Sequence, residues 1–404
     1  MSWPLRPISD LCEFAIDCVN KTAPVVNYDT PYKMIRTTNV KGGFIDVKNV
    51  RRVTKDTYEK WTRRSRPRFG DVILTREAPL GEVGRCTFDD DEHIFLGQRL
   101  FHYRPNPELL DWNFLAYVLQ SPSVQARFHG MGFGATVSHV KVGDAETLLI
   151  PCPSINLQKQ IGSALAAYDD LIDTNRRRIA LLEESARLLY REWFVKLRFP
   201  GHESVKVVDG VPEGWELKPI ADFASLLSRG ITPKYDDLAK GLIINQKCIR
   251  EGRLNLAPAR RQSKEVKQDK LVQLGDILIN STGAGTLGRV AQLRCEITDC
   301  TVDTHVTIVR PKSEKTMGFL GVALLELAPV FESMGRGATN QLELGRTDIG
   351  NLKLLAPSED IQADFHRIVW TNFEQVNILA DKCDLLAEAR DALLPKLMSG
   401  QLAA

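Results

Sequence analysis

From Ile161 onward, apolar residues recur at alternating spacings of four and three: Ile161, Leu165, Tyr168 and Ile172, then Asn175, Ile179, Leu182, Ala186, Leu189 and Trp193. Such spacing lays one apolar stripe along an α-helix. More than four heptads of it predict a helix of about 35 to 40 residues, ~55 to 60 Å long. Pro153-Ser154 supplies the N-cap and Pro200-Gly201 the stop. Shifted by about 204 positions, the pattern returns as Phe365, Val369, Asn372, Val376, Leu379, Cys383, Leu386, Arg390, Leu393 and Leu397. A helix this long with one apolar seam is marginal alone. Two in one chain predict an antiparallel coiled coil whose polar seam members, Asn175 and Arg390, fix the register.

Outside these helices the pattern changes to short apolar runs bounded by glycine, which read as strands. These runs also occur twice. "FGDVILTREAPLGEVGRC" lines up with "LGDILINSTGAGTLGRVA", setting Asp71 on Asp276 and Gly84-Arg85 on Gly288-Arg289. "GFGATVSHV" pairs with "GRGATNQLEL", and "CPSINLQKQI" with "APSEDIQADF". The opening Trp3 to Ile8 resembles Trp215 to Ile220. The chain is therefore an imperfect tandem duplication of α+β class, each copy being a mixed α/β module followed by a long helix. The boundaries fall at 1–153 for the first module, 154–199 for its helix, 200–214 for a turn-rich linker, 215–356 for the second module and 357–404 for its helix.

One segment invites a different reading. Gly283, Gly285 and Gly288 follow a strand at dinucleotide-binding spacing, and nearly make a P-loop, but Arg289 and Val290 replace the Lys and Ser/Thr that a P-loop needs. The first copy has Pro79 at the position matched to Gly283. The residues after the glycines alternate like a strand, where a phosphate site needs a helix N-terminus. A glycine-rich hairpin loop is predicted instead.

Composition narrows the function. Lys+Arg number 53 and Asp+Glu 51, so the net charge of +2 gives no global attraction to nucleic acid, and any such argument must be local. The eight cysteines form no C-x-x-C pair, which predicts reduced thiols in a cytoplasmic protein and no metal site. No run approaches the ~18 apolar residues of a membrane helix. Locally, though, each module carries a basic run before its G-D strand. The first is Arg51, Arg52, Lys55, Lys60, Arg63, Arg64, Arg66 and Arg68. The second is Lys247, Arg250, Arg253, Arg260, Arg261, Lys264, Lys267 and Lys270. Two corresponding runs suit phosphate contacts at the two halves of a bipartite site, with Arg51, Arg52, Arg63, Arg64, Arg260 and Arg261 as candidates. Arg85 and Arg289 follow glycines in matched loops, from which a guanidinium reaches guanine or phosphate. The tips after G-A-T diverge, with Thr136, Ser138 and His139 in one copy and Thr339, Asn340 and Gln341 in the other, as expected of a framework reading two different sequences. No H-E-x-x-H, G-x-S-x-G, methyltransferase tetrapeptide or Walker A sequence is present, so no catalytic residue is assigned.

Taken in order, these motifs resemble the specificity subunits of Type I restriction-modification systems over nearly the whole length. The resemblance rests on the W-x-L-[RK]-P-I openings, the G-D-[VI]-[LI]-[LI] runs, G-A-T, the helix entries around Gln158 and Gln362, and the endings "LLYREWF" and "RDALLPKLMSGQL". It implies that each module is a target recognition domain for half of a split double-stranded DNA sequence, with the helices as the ruler between them. It further implies docking of two modification subunits that bind S-adenosylmethionine and methylate adenine, with restriction subunits joining that core. This chain would then hold no cofactor. The alternative is a stand-alone sequence-specific DNA-binding regulator.

Overall fold

A computed structural model describes residues 3–131, 139–337 and 342–402. The chain divides into two compact units, Met1–Thr174 with Lys382–Ala404, and Asn175–Asp381. Each long helix is thus shared between the units, a division that cuts across the linear order of module, helix, linker, module, helix.

In the first unit, a four-stranded antiparallel sheet has the order Cys12–Asp17, Leu100–Pro105, Val72–Arg76, Leu80–Arg85. Val72, Ile73 and Leu74 are all buried, because one sheet face covers the Phe101, Tyr103 and Phe114 core and the other covers Ile35, Cys86 and Ile94. Burial on both faces explains an unbroken apolar run instead of an alternating one. A smaller sheet has the order Arg51–Arg52, Lys33–Ile35, Ile94–Leu96, and its last pair is parallel. Leu5–Pro7 pairs with Leu149–Pro151, tying the opening motif to the residues just before the long helix.

The second unit repeats this plan. Its sheets run Ala224–Arg229, Val306–Pro311, Ile277–Asn280, Val290–Gln292 and Arg260–Arg261, Leu242–Ile244, Cys300–Val302. Glu216–Pro219 pairs with Lys353–Ala356. The duplication is therefore one of topology, with one correction to the alignment. Val72 stands opposite Arg85 and Ile277 opposite Gln292, so the counterpart of Arg85 is Gln292, not Arg289. Eight residues separate the paired Leu74 and Val83, whereas ten separate Ile279 and Val290, and this longer loop carries a chance copy of G-x-x-G-R. Gly283, Gly285 and Gly288 have φ of 98°, 73° and 81° within this hairpin, a conformation open to glycine.

The long helices run Ile155–Tyr190, with a wider π-turn at Arg191–Val195, and Glu359–Met398. Ile161, Leu165, Ile172 and Ile179 of the first are buried, as are Phe365, Val369, Val376 and Leu379 of the second; Leu182 and Leu386 are half-buried. The direction of pairing can be read within each unit. In the first, Asp169 meets Arg390 and the Ile172 carbonyl meets Cys383 Sγ at 3.7 Å. In the second, Ile179 packs with Val376 and Leu379, while the rings of Trp193 and Phe365 lie 5.7 Å apart. Numbers rise along one helix as they fall along the other, so the pair is antiparallel. The linker is ordered by a short hairpin, Val207–Val208 with Val211–Pro212, and Val205 and Val211 pack against the core holding Phe199 and Trp215.

Candidate nucleic-acid interface

A basic feature that recurs in both units lies on the small sheets. Arg51 and Arg52 form one strand and Arg260 and Arg261 its counterpart, because Lys33 pairs with Arg52 as Leu242 pairs with Arg261. Arg51, Arg260 and Arg261 are exposed and Arg52 is half-buried. In each unit, therefore, an arginine doublet sits at the same rim of the same sheet. Adjacent residues on a strand point to opposite faces, so each doublet offers cations on both sides of that rim.

Other members of the basic runs are engaged within the fold, as are Arg52 and Arg261 of the doublets through the carbonyls of Thr30 and Ala239. Arg64 pairs with Asp17 at 2.7 Å, and Arg66 donates to the Asp90 carbonyl at 2.6 Å. Arg253 forms a two-nitrogen contact with Glu183 of the first long helix, and Lys270 donates to the Arg229 carbonyl at 2.7 Å. Arg63 and Arg68 are exposed. A basic run is thus a poor guide to a basic surface, because arginine also serves to tie loops to carbonyls and acids.

Arg85 is where the structure departs furthest from expectation. It lies in a strand, not at a loop tip, and its side chain is only 3% exposed. It donates to Asn113 Oδ1 at 2.9 Å and faces Asp169 at 3.4 Å, near the rings of Tyr117 and Trp112. Asp169, fully buried, also takes the Tyr117 hydroxyl and Arg390. Arg85 is a buried counter-ion that docks the first module on the helix pair, and in this arrangement it reaches no base. Arg289 is half-buried, with Nη2 donating to its own loop at Gly285 O, 2.7 Å away. His139 is exposed. Thr136, Ser138, Thr339, Asn340 and Gln341 lie outside the described residues.

The G-D pair of the sequence has a structural reason in both units. Asp71 accepts the backbone N–H of Arg68 at 2.8 Å and a two-nitrogen contact from Arg104. Asp276 accepts Gln273 N at 2.8 Å and the equivalent contact from Arg310. Each carboxylate fastens the turn that leads into its central strand. The first unit adds His102, whose Nε2 lies 2.7 Å from Asp71 and whose Nδ1 lies 2.9 Å from Ser65 Oγ. Burial disfavours a charged His102 and lowers its pKa despite Asp71. Burial also opposes ionisation of Asp71, but hydrogen bonds from Arg104 and His102 outweigh it and hold the carboxyl below its usual range. Asp276 lacks the histidine, and there burial wins and raises the pKa.

This Ser65-His102-Asp71 line was not anticipated from the sequence, since the three residues come together only through sheet pairing. It resembles a nucleophile relay in connectivity alone. His102 is fully buried, and Asp71 is already held by Arg104. A nucleophile needs a base that can accept its proton beside a substrate, and the same buried network instead braces the sheet. Among the described residues no group of three or more His, Cys, Asp or Glu is placed to hold a metal ion, and no helix is long and apolar enough to cross a membrane.

Known proteins share this framework. Residues 2–184 match the family described as the Type I restriction modification DNA specificity domain. Residues 2–184 thus carry a Type I restriction modification DNA specificity domain. It is 23% identical over 361 residues to the Type I restriction enzyme MjaIX specificity subunit of Methanocaldococcus jannaschii, covering 87% of this chain and 82% of that protein. It is 21% identical over 413 residues to the HindI specificity subunit of Haemophilus influenzae, covering 82% and 86%. Among solved structures, the S subunit of a Type I system from M. genitalium matches with a TM-score of 0.59 at 18% identity, over 98% of this chain and 96% of that one. That likeness confirms the duplicated fold. The chain is a specificity subunit, the DNA-recognition component of such a system.

Proposed function

We propose that each unit reads one half of a split DNA site and that the chain itself performs no chemistry, leaving adenine methylation to two S-adenosylmethionine-binding modification subunits and cleavage to restriction subunits. The observation that carries this reading is the recurrence of an arginine doublet at the same sheet rim in both units. Phosphate contacts from such a rim fix register on the duplex, while neighbouring loops read base edges.

Docking of the modification subunits is supported by the outer face of the helices. Leu181, Leu188 and Val195 recur at spacings of seven on the first helix and are 70%, 50% and 64% exposed; Ile378 and Leu385 on the second are 54% and 64% exposed. Among the described residues these are exposed apolar positions at heptad spacing on each helix, the pattern of a helix face that packs against other helices. Cytoplasmic action follows from a substrate that is cellular DNA.

The test is a salt titration of DNA binding by the complex of this chain with its modification subunits. Neutralising either doublet, as Arg51→Ala/Arg52→Ala or Arg260→Ala/Arg261→Ala, should weaken binding and reduce the log–log salt slope by up to about 2, roughly 1 per phosphate contact. Unchanged slopes for both pairs would overturn the assignment.

A further inference from the structure

Each doublet is accompanied by a loop that packs along its strand. In the first unit, the segment before Lys33 crosses the outer side of the doublet strand, and Val26 N donates to the Arg52 carbonyl at 2.9 Å. In the second, Asp236 N donates to the Arg261 carbonyl at 3.2 Å. Arg52 and Arg261 are counterparts, so this shared hydrogen bond makes Val26 equivalent to Asp236. Two residues further on from these hydrogen bonds stand Tyr28 and Leu238, whereas the sequences "VVNYDTPYK" and "PKYDDLAKG" share only Tyr-Asp in a different register.

Both of these residues are apolar in body and stand in solvent. Tyr28 is 59% exposed and Leu238 is 96% exposed. A lone exposed apolar side chain is ordinary. Two, each placed two residues beyond the shared hydrogen bond and each beside an arginine doublet, are a pattern.

The loops also hold the arginines. Arg52 is fixed by Asp29 at 3.3 Å and by the Thr30 carbonyl at 3.0 Å. Arg260 lies over the ring of Tyr235 at 3.5 Å, and Arg261 donates to the Ala239 carbonyl at 3.1 Å. Two loop carboxylates are occupied, Asp29 by Arg52 and Asp236 by the Leu238 N–H at 3.0 Å, which reduces their repulsion of a phosphate. Each loop therefore restrains cations and projects one apolar tip next to them.

We infer that loops 25–30 and 235–240 are DNA-contacting tips in which Tyr28 and Leu238 make apolar contact with the duplex while the restrained arginines grip the adjacent backbone. Base edges and sugars offer apolar surface to such a tip, including the thymine methyl in the major groove, and apolar side chains also wedge at base steps in the minor groove. The inference rests on the reading of the two units as half-site readers and names residues within it.

The test uses the full complex with its modification subunits. The methylated motif of the wild type is first defined by modified-base sequencing, and binding is then measured on duplexes carrying that motif. Leu238→Ala and Tyr28→Ala are surface truncations that should leave folding and subunit assembly intact. Each is expected to weaken binding about 5- to 50-fold, and to relax base preference within one half of the motif only, the two variants affecting opposite halves. Unchanged affinity and motif in both variants would overturn the inference. A wild-type complex that methylates no split motif would overturn the half-site reading and the tips with it, whereas a split motif left unchanged by both variants would overturn the tips alone.

Discussion

The two units share a framework and differ in the charge buried inside it. At one position of the fourth strand the first unit has Arg85 and the second Gln292, both 3% exposed. Arg85 answers Asp169 on the first long helix, with Arg390 of the second helix on the other side of the same carboxylate. Gln292 instead bonds within its own module, to the Met317 carbonyl at 2.9 Å and the Gly275 carbonyl at 3.2 Å. The second unit anchors to the helix elsewhere, through Glu183 with Arg294 and Arg253. What was duplicated is the topology. The attachment of each module to its segment of helix has since become particular to that segment, so the modules are not interchangeable parts.

The largest expected effect separates these two strand positions. Asp169→Ala leaves the Arg85 and Arg390 cations without their carboxylate, and breaking a buried pair from one side typically costs about 3–5 kcal/mol. Gln292→Ala frees only neutral carbonyls, for about 1–3 kcal/mol. Hydrogen exchange in Val72–Arg76 and in Ile277–Asn280 reports each unit separately. Equal, small losses at both sites would remove the distinction.

A smaller difference concerns acid. His102 is held neutral with a pKa below the usual value near 6.5. Below that pH the unfolded chain takes up a proton that the folded chain does not, so the first unit should lose stability as pH falls from about 6.5, at up to about 1.4 kcal/mol per pH unit. Asp71, also depressed, holds its contribution above the ordinary carboxylate range and loses it in stronger acid. The second unit has Ile308 at the position of His102 and a raised Asp276, whose carboxyl gains a proton on folding and so favours the folded state as pH falls. His102→Asn should flatten the slope of the first unit between pH 6.5 and 5 while leaving the second unchanged. A slope that survives the substitution would place the acid sensitivity elsewhere.

The smallest effect on stability is expected on the outer helix face. Leu181→Glu with Leu188→Glu touches residues 70% and 50% exposed and should alter unfolding by less than about 0.5 kcal/mol. Co-purification with a modification subunit should nonetheless be lost. Retained assembly would show that the second seam is not the docking face.

The sequence made the helices and the duplication legible because burial enforces period. Ile161 to Ile179 and Phe365 to Val376 could be found by spacing alone, and G-D marked the turn that Asp71 and Asp276 fasten. The sequence misplaces Arg85 because a hairpin longer by two residues reproduces G-x-x-G-R out of register, which only strand pairing reveals. Asp169 was passed over because an acid beside a heptad seam ordinarily faces water. The tips at Tyr28 and Leu238 are not legible in the sequence since their common placement is marked by a backbone hydrogen bond, not by residue identity.

The central claim is that this chain supplies the address for DNA modification. Its most direct test is to express it with its modification subunits in a host lacking other adenine methylation and to sequence the host DNA with modified-base detection. A split motif with methylated adenine in each half is expected, present only when this chain is present. A soluble complex that forms and leaves the DNA unmodified, or modification unchanged when this chain is omitted, would contradict it.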